Sequence, residues 1–124
     1  LNFGHTFAHA YEASLNYSKK LNHGEAVLLG MGSALKFSYE NKFLNKNEYF
    51  DILRHIEKAG LPYNLKKYFS LKHLNKIISF MLKDKKNNSK NINLILLKKI
   101  GYPITNKFYS KKNITLFLKR NLAD

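Results

Sequence analysis

The sequence has 124 residues, of which 44% are hydrophobic and 14% aromatic, so the chain is too apolar to be disordered and long enough for one modest core. It contains no cysteine, which excludes disulfides and thiolate metal sites and leaves His, Asp and Glu as possible metal ligands. No stretch approaches the roughly 18 to 20 apolar residues that a membrane-spanning helix needs, so no membrane partner is expected.

The positive charge is the strongest compositional feature of the chain. The 22 Lys and Arg outnumber the 8 Asp and Glu, which gives a formal net charge of +14, and such an excess can attract nucleic-acid phosphates. Only Arg54 and Arg120 are arginines, however, and the lysines are scattered among many asparagines, as in proteins from A+T-rich genomes. We therefore expect no nucleic-acid partner. A non-enzymatic basic helical module that binds nucleic acid stays open as an alternative.

Four helices are predicted in the first two thirds of the chain, because apolar residues recur there near the 3.6 period. The second helix contains Gly30 and Gly32, each of which costs about 1 kcal/mol relative to alanine, so both are expected to have a packing or ligand reason, such as the close approach of another backbone. Asn45 or Asn47 is expected to cap the third helix, and Gly60 to end it. The predicted helices span 3–15, 24–43, 45–60 and 71–86.

The sequence after residue 86 changes to a strand-like pattern. The run INLILLKKI is rich in leucine and β-branched residues, and ITNKFY mixes apolar and polar residues. With a turn at 101–103, these runs predict two short paired strands. An amphipathic helix is predicted over 111–122. The expected fold is a mainly α, helical domain over 1–124 with one small β-strand pair near the C-terminus.

The opening segment LNFGHTFAHAYE places two histidines four residues apart. His5 and His9 share one face of the predicted helix, and Glu12 lies one turn further along. Two imidazoles at this spacing can bind one zinc ion. The glutamate of the HExxH motif is absent between them. The pair alone therefore leaves open both a metal site and a pair of packed or capping histidines.

A third histidine begins the segment HGEAVLLGMG. His23 lies at the start of the second predicted helix, where free N–H groups attract anions, and a ligand there can meet His5 across the helix pair. Glu25 is expected to orient a metal-bound imidazole. As an alternative, His23 is only a helix-start residue. His55 and His73 lie on lysine-rich helix faces and are predicted to be surface residues.

These two segments, followed by MLKDKK and INLILLKKIG in the same order, resemble the C-terminal domain of the 3-dehydroquinate synthase family, a branch of the sugar-phosphate cyclases. The resemblance covers nearly the whole chain. It implies a two-domain enzyme in which an N-terminal nucleotide-binding domain precedes this helical domain.

The resemblance also implies which residues act. His5 and His23 match ligands of zinc or another divalent metal such as cobalt, and a third ligand, a glutamate, lies in the preceding region of the family. His9 matches a catalytic residue that faces the substrate. Asn2, His9 and Lys85 match substrate-binding residues. The NAD cofactor is expected to be bound mainly by the N-terminal domain, since this chain has no Gly-rich dinucleotide fingerprint.

The chain departs from the family pattern at a few positions near the first histidines. Ala8 stands where the family commonly has glycine, and its added methyl group is expected to tighten the packing without removing a functional group. Tyr11 replaces a usual aliphatic residue and is expected on the packing side of the helix. Neither change argues for an inactive enzyme.

The reaction implied by the resemblance converts 3-deoxy-arabino-heptulosonate 7-phosphate into 3-dehydroquinate and phosphate, in the shikimate route to aromatic amino acids. It proceeds by NAD-mediated transient oxidation, phosphate elimination, reduction and aldol cyclisation. The expected protein is a cytoplasmic, homodimeric lyase whose partners are a phosphorylated sugar acid and its own N-terminal domain. This chain alone is expected to be inactive. Another sugar-phosphate cyclase with a different substrate is the second alternative.

Overall fold

The computed structural model describes residues 3–83, 91–99 and 102–123. Within this part of the chain there are five α-helices and a two-stranded antiparallel sheet. The elements are α1 (His5–Ser14), α2 (His23–Glu40), α3 (Lys46–Lys58), α4 (Leu74–Leu82), β1 (Asn91–Lys99), β2 (Tyr102–Ser110) and α5 (Lys111–Leu122). The predicted mainly α fold with one strand pair is confirmed. No helix in the described ranges combines the length and hydropathy that a membrane span requires.

Polar side chains begin three of the helices. Asn22, Asn45 and Ser110 each accept the backbone N–H of the residue three positions further on, which satisfies a donor that the helix itself leaves unpaired. Of the two asparagines predicted to cap α3, it is therefore Asn45 that does so. Gly60 follows the end of this helix in the left-handed region, with φ of +68°, as expected for a glycine stop signal.

Helix α2 ends earlier than its apolar pattern predicts. The pattern continues to Phe43, but the helix ends at Glu40. Lys42 adopts a φ of +65°, and the backbone N–H groups of Phe43 and Leu44 both donate to the Ser38 carbonyl, at 2.9 and 3.2 Å. These turn hydrogen bonds replace the helical ladder and carry Leu44 into a buried position.

A contact between two glycines brings the backbones of α1 and α2 together. A Cβ atom added to Gly30 would lie 2.5 Å from the Gly4 carbonyl oxygen and 2.8 Å from Ala8 Cβ. Gly4 has a φ of +74°, a conformation that side chains disfavour. The predicted close approach at Gly30 is therefore confirmed. Gly32 has no such packing partner among the described residues, since an added Cβ there would meet no atom within 4 Å.

The main hydrophobic core lies where α1, α2, α4 and α5 meet the sheet. Its aromatic centre is Phe117, whose ring centroid lies 5.9 Å from that of Phe7 and 5.0 Å from that of Phe37. Strand β1 alternates along its length and buries one face against the helices. The buried β1 side chains are Ile92, Leu94 and Leu96.

Two hydrogen bonds tie β1 to the helix pair. Thr6 Oγ1 donates to the Asn93 carbonyl at 3.2 Å, and the Leu97 N–H donates to Ser38 Oγ at 2.9 Å. One bond reaches α1 and the other reaches α2. The sheet therefore fixes both helices, and β2 pairs with β1 in an antiparallel register from Asn91 opposite Ser110 to Lys99 opposite Tyr102.

The start of the fourth predicted helix differs from the pattern. Residues Leu71–His73 form a 3₁₀ turn before α4 begins, while the predicted end at 84–86 lies outside the described residues. The Ser70 N–H donates to His73 Nδ1 at 3.1 Å, and the imidazole packs edge-on against Phe69, with ring centroids 5.3 Å apart. His73 is therefore half-buried, and the prediction of a surface histidine is correct only for His55.

Substituting Gly30 tests the glycine contact. Gly30→Ala is expected to lower the free energy of unfolding by about 1–3 kcal/mol, because the methyl group would collide with backbone atoms of α1. Gly32→Ala is the matched control, since it adds the same methyl group to the same helix in open space and is expected to stabilise the protein by up to about 1 kcal/mol. Urea denaturation followed by circular dichroism measures both. Equal changes in the free energy of unfolding for the two variants would contradict the Gly4–Gly30 contact.

The capping role of His73 predicts a pH dependence of stability. Burial, followed by the charge of Lys72, lowers the pKa of His73 below its ordinary 6.5. Because the folded pKa is lower than the unfolded one, this contribution to stability is complete above about pH 6.5 and is lost as the pH falls through the folded pKa. The stability difference between the wild type and His73→Gln is therefore expected to shrink between about pH 7.5 and 5. Denaturation curves of both proteins across this range measure it, and a difference that stays constant with pH would contradict the capping role of His73.

Candidate functional site

His5 and His9 lie side by side on the exposed face of α1. Their ring centroids are 3.9 Å apart, and their planes are tilted by 59°. The other side of the helix buries Phe7 and Ala10 in the core, which leaves this face to carry the polar residues. The spacing of four residues therefore produces the shared face that the sequence predicts.

His23 contacts the C-terminal half of α1. It is the first residue of α2, and its Nδ1 lies 3.1 Å from Glu12 Oε2. The Gly4–Gly30 contact lies at the start of α1 and near the middle of α2. The imidazole of His23 is 71% exposed, whereas the Glu12 side chain is 12% exposed. A largely buried carboxylate therefore holds an exposed imidazole.

Glu25 has a different role from the one predicted for it. Its Oε1 accepts the Asn22 N–H at 2.9 Å, and its Oε2 accepts the Tyr68 hydroxyl at 2.9 Å. Both carboxylate oxygens are thus engaged in closing a capping box and in a tertiary hydrogen bond. The expectation that Glu25 orients His23 is wrong, because Glu12 is the residue that contacts this ring.

The hydrogen bond from Tyr68 anchors the start of α2 to the segment before α4. Burial, the hydrogen bond and the negative charge of Glu25 all raise the pKa of Tyr68. The phenol therefore keeps its proton and stays a donor at neutral pH. Because His23 is the first residue of the helix capped by Asn22 and Glu25, this network fixes the backbone that carries the imidazole.

The donor atoms of this surface suit a divalent metal such as zinc, which takes imidazole nitrogens. Among the described residues, however, no three His, Asp or Glu side chains are grouped so that they could hold a metal ion. His23 is paired with Glu12, and His5 lies beside His9. The described part of the chain thus presents imidazoles of the right chemistry without a complete ligand set.

Two predicted substrate-binding residues, Asn2 and Lys85, lie outside the described residues. The structure therefore places only the three histidines among the predicted site residues. Glu12 is the functional candidate that the sequence interpretation did not single out. Its signal in the sequence was its position on the same helix face as His5 and His9, but its contact with a residue of another helix depends on the fold.

Comparisons with known proteins agree with this architecture. The family 3-dehydroquinate synthase C-terminal matches residues 1–87. The 3-dehydroquinate synthase of Pelagibacter ubique (strain HTCC1062) is 58% identical over 123 residues, which are 99% of this chain and 33% of that protein. The enzyme of the same name from Zymomonas mobilis is 35% identical over 123 residues, 99% of this chain and 32% of that protein. The chain thus spans about a third of the length of these curated relatives.

The fold is also found in solved structures. One is a crystal structure of 2-deoxy-scyllo-inosose synthase complexed with carbaglucose-6-phosphate, NAD+ and Co2+, which superposes with a TM-score of 0.76 at 22% identity over 96% of this chain and 34% of that chain. A second crystal structure of 2-deoxy-scyllo-inosose synthase gives a TM-score of 0.72 at 21% identity. Since the family match covers most of the sequence, the chain belongs to the 3-dehydroquinate synthase C-terminal family.

Proposed function

We propose that this chain is the metal- and substrate-binding C-terminal part of a 3-dehydroquinate synthase. The complete enzyme would convert 3-deoxy-arabino-heptulosonate 7-phosphate into 3-dehydroquinate and phosphate, as a lyase of the shikimate pathway. The chain accounts for about a third of the length of the relatives that support this proposal. The activity would therefore belong to the complete polypeptide, and the chain alone would be inactive.

The placement of the histidines carries the proposal. Two sequence segments, one with His5 and His9 and the other with His23, lie on helices that pack against each other. The glycine contact sets the separation of these helices, and Glu12 of the first contacts His23 of the second. A basic helical module that only binds nucleic acid would have no need for this arrangement, and no finding supports that alternative.

His5 and His23 would hold the metal, either zinc or a similar ion such as cobalt. A bound metal of this kind polarises substrate oxygens and lowers the pKa of a coordinated hydroxyl group. The third ligand would come from the region that precedes this chain in the complete enzyme. The 2-deoxy-scyllo-inosose synthase structure contains Co2+, which supports a divalent metal in proteins of this fold.

His9 would act on the substrate beside the metal ligand His5, because the two rings are in contact on one helix face. Asn2 and Lys85 would bind substrate anions together with His9. Lysine suits this role because its ammonium group is a compact positive charge that binds phosphate. These side chains would orient the phosphorylated sugar acid for reaction.

The remaining parts of the catalytic machinery would lie outside this chain. NAD, bound mainly by an N-terminal domain, would supply the transient oxidation and reduction of the substrate. The complete enzyme would be a cytoplasmic homodimer. The relatives at 58% and 35% identity are named as 3-dehydroquinate synthases, so we favour this substrate over that of another sugar-phosphate cyclase.

The proposal is tested with the full-length polypeptide that carries this chain, supplied with zinc and NAD. Phosphate release from 3-deoxy-arabino-heptulosonate 7-phosphate and metal content are measured for single alanine variants. His5→Ala and His23→Ala are expected to weaken metal affinity by more than about 100-fold, since a direct ligand contributes more than its supporting residues. His9→Ala is expected to keep the metal but lose about 100-fold or more in turnover, because substrate positioning is lost.

His55→Ala is the control, because this exposed histidine lies on α3 and both readouts should stay at the wild-type level. Normal metal binding without phosphate release from this substrate would indicate another sugar-phosphate cyclase. Metal binding that is insensitive to His5 and His23 would overturn the ligand assignment.

A further inference from the structure

We infer that Glu12 is a positioning residue for His23: it holds the imidazole through Nδ1 and so reserves Nε2 for the metal. This inference rests on the proposed function, because it gives His23 a metal to bind. It concerns a residue that contacts neither metal nor substrate. It also replaces Glu25, which the sequence favoured for this role, with a residue from a different helix.

The Glu12–His23 contact is short, and its carboxylate is largely buried. Glu12 Oε2 lies 3.1 Å from His23 Nδ1, within the ordinary range of a hydrogen bond. The Glu12 side chain is only 12% exposed, and it projects from a helix whose backbone is packed against α2 at Gly30. The carboxylate therefore has little freedom to move, while the imidazole that it holds reaches the solvent.

The chemistry of the pair selects one form of the ring. An ionised carboxylate can only accept a hydrogen bond, so His23 Nδ1 must carry the proton. In a neutral imidazole the lone pair is then on Nε2, which is the nitrogen left to bind a metal. Metal-binding histidines commonly donate their second N–H to a carboxylate in this way, which fixes the ring and increases its basicity.

The neighbouring carboxylate of Glu25 does not take this role in the observed arrangement. Glu25 lies two residues from His23, but its two oxygens accept hydrogen bonds from Asn22 and Tyr68. The two carboxylates at the start of α2 thus have separate tasks. Glu25 fixes the helix backbone, and Glu12 fixes the orientation of the ring.

The first experiment measures the tautomer of His23 in the metal-free, full-length protein by long-range ¹H–¹⁵N correlation, at about pH 8 where an ordinary imidazole is neutral. The wild type is expected to show the Nδ1–H form, and Glu12→Gln is expected to lose this preference, because an amide can donate as well as accept. Glu12→Ala is a second variant, because it removes the contact with His23 even if a glutamine side chain at position 12 would keep it. A wild-type ring in the Nε2–H form would overturn the inference.

The second experiment measures the affinity of the same variants for Zn2+ by competition with a chelator. Glu12→Ala is expected to bind about 10- to 100-fold more weakly than the wild type, with Glu12→Gln in between. Glu40→Gln is the matched control, since it removes the same charge from the far end of α2, where Glu40 accepts a hydrogen bond from Arg120. Its affinity and its His23 tautomer should stay at the wild-type level.

The comparison with His23→Ala separates failure of this inference from failure of the proposed function. If His23→Ala loses the metal but both Glu12 variants bind normally, only the role of Glu12 is overturned. If Glu12→Gln loses as much affinity as His23→Ala, Glu12 is itself a ligand and the positioning role is overturned. If His23→Ala binds like the wild type, the metal assignment in the proposed function fails, and with it the purpose assigned to Glu12.

Discussion

The contact between Gly4 and Gly30 is the constraint on which the histidine surface depends. Two helices whose backbones touch have no freedom to slide or separate without losing that contact. A side chain at either glycine would move α1 away from α2, because an added Cβ would lie within 2.6 Å of backbone atoms. The same close approach brings Tyr11 Oη within 2.6 Å of Ser33 Oγ in the packed side of the pair.

Fixing the helix separation does not by itself fix the first residue of α2, because helix ends have unpaired backbone groups and tend to fray. The capping box formed by Asn22 and Glu25 satisfies donors at this end. Tyr68 then binds the same glutamate from a segment 43 residues away in sequence. A local capping interaction is thereby tied to the tertiary fold, and the backbone of His23 has support from two directions.

The sequence predicted all five described helices and the strand pair, because each buries one face and so carries a clear apolar period. It did not predict where α2 ends, since the turn at Lys42 depends on hydrogen bonds to Ser38. It could not separate Gly30 from Gly32, because only the fold shows which glycine faces α1. For the same reason it gave the role of orienting a metal-bound imidazole to Glu25, two residues from His23, when the contact with His23 is made by Glu12 on another helix.

In the proposed site, the described residues would supply only part of a ligand set. Catalytic zinc sites usually have three protein ligands, and no such group exists within the described part of the chain. A metal held by His5 and His23 would therefore need a donor from elsewhere in the enzyme, so metal binding would couple this domain to the segment that supplies the donor. The glycine contact, the capped helix and the Glu12 hydrogen bond already order the imidazole-bearing helices. Because this order already exists, less conformational entropy would be lost if a further donor completed the proposed site.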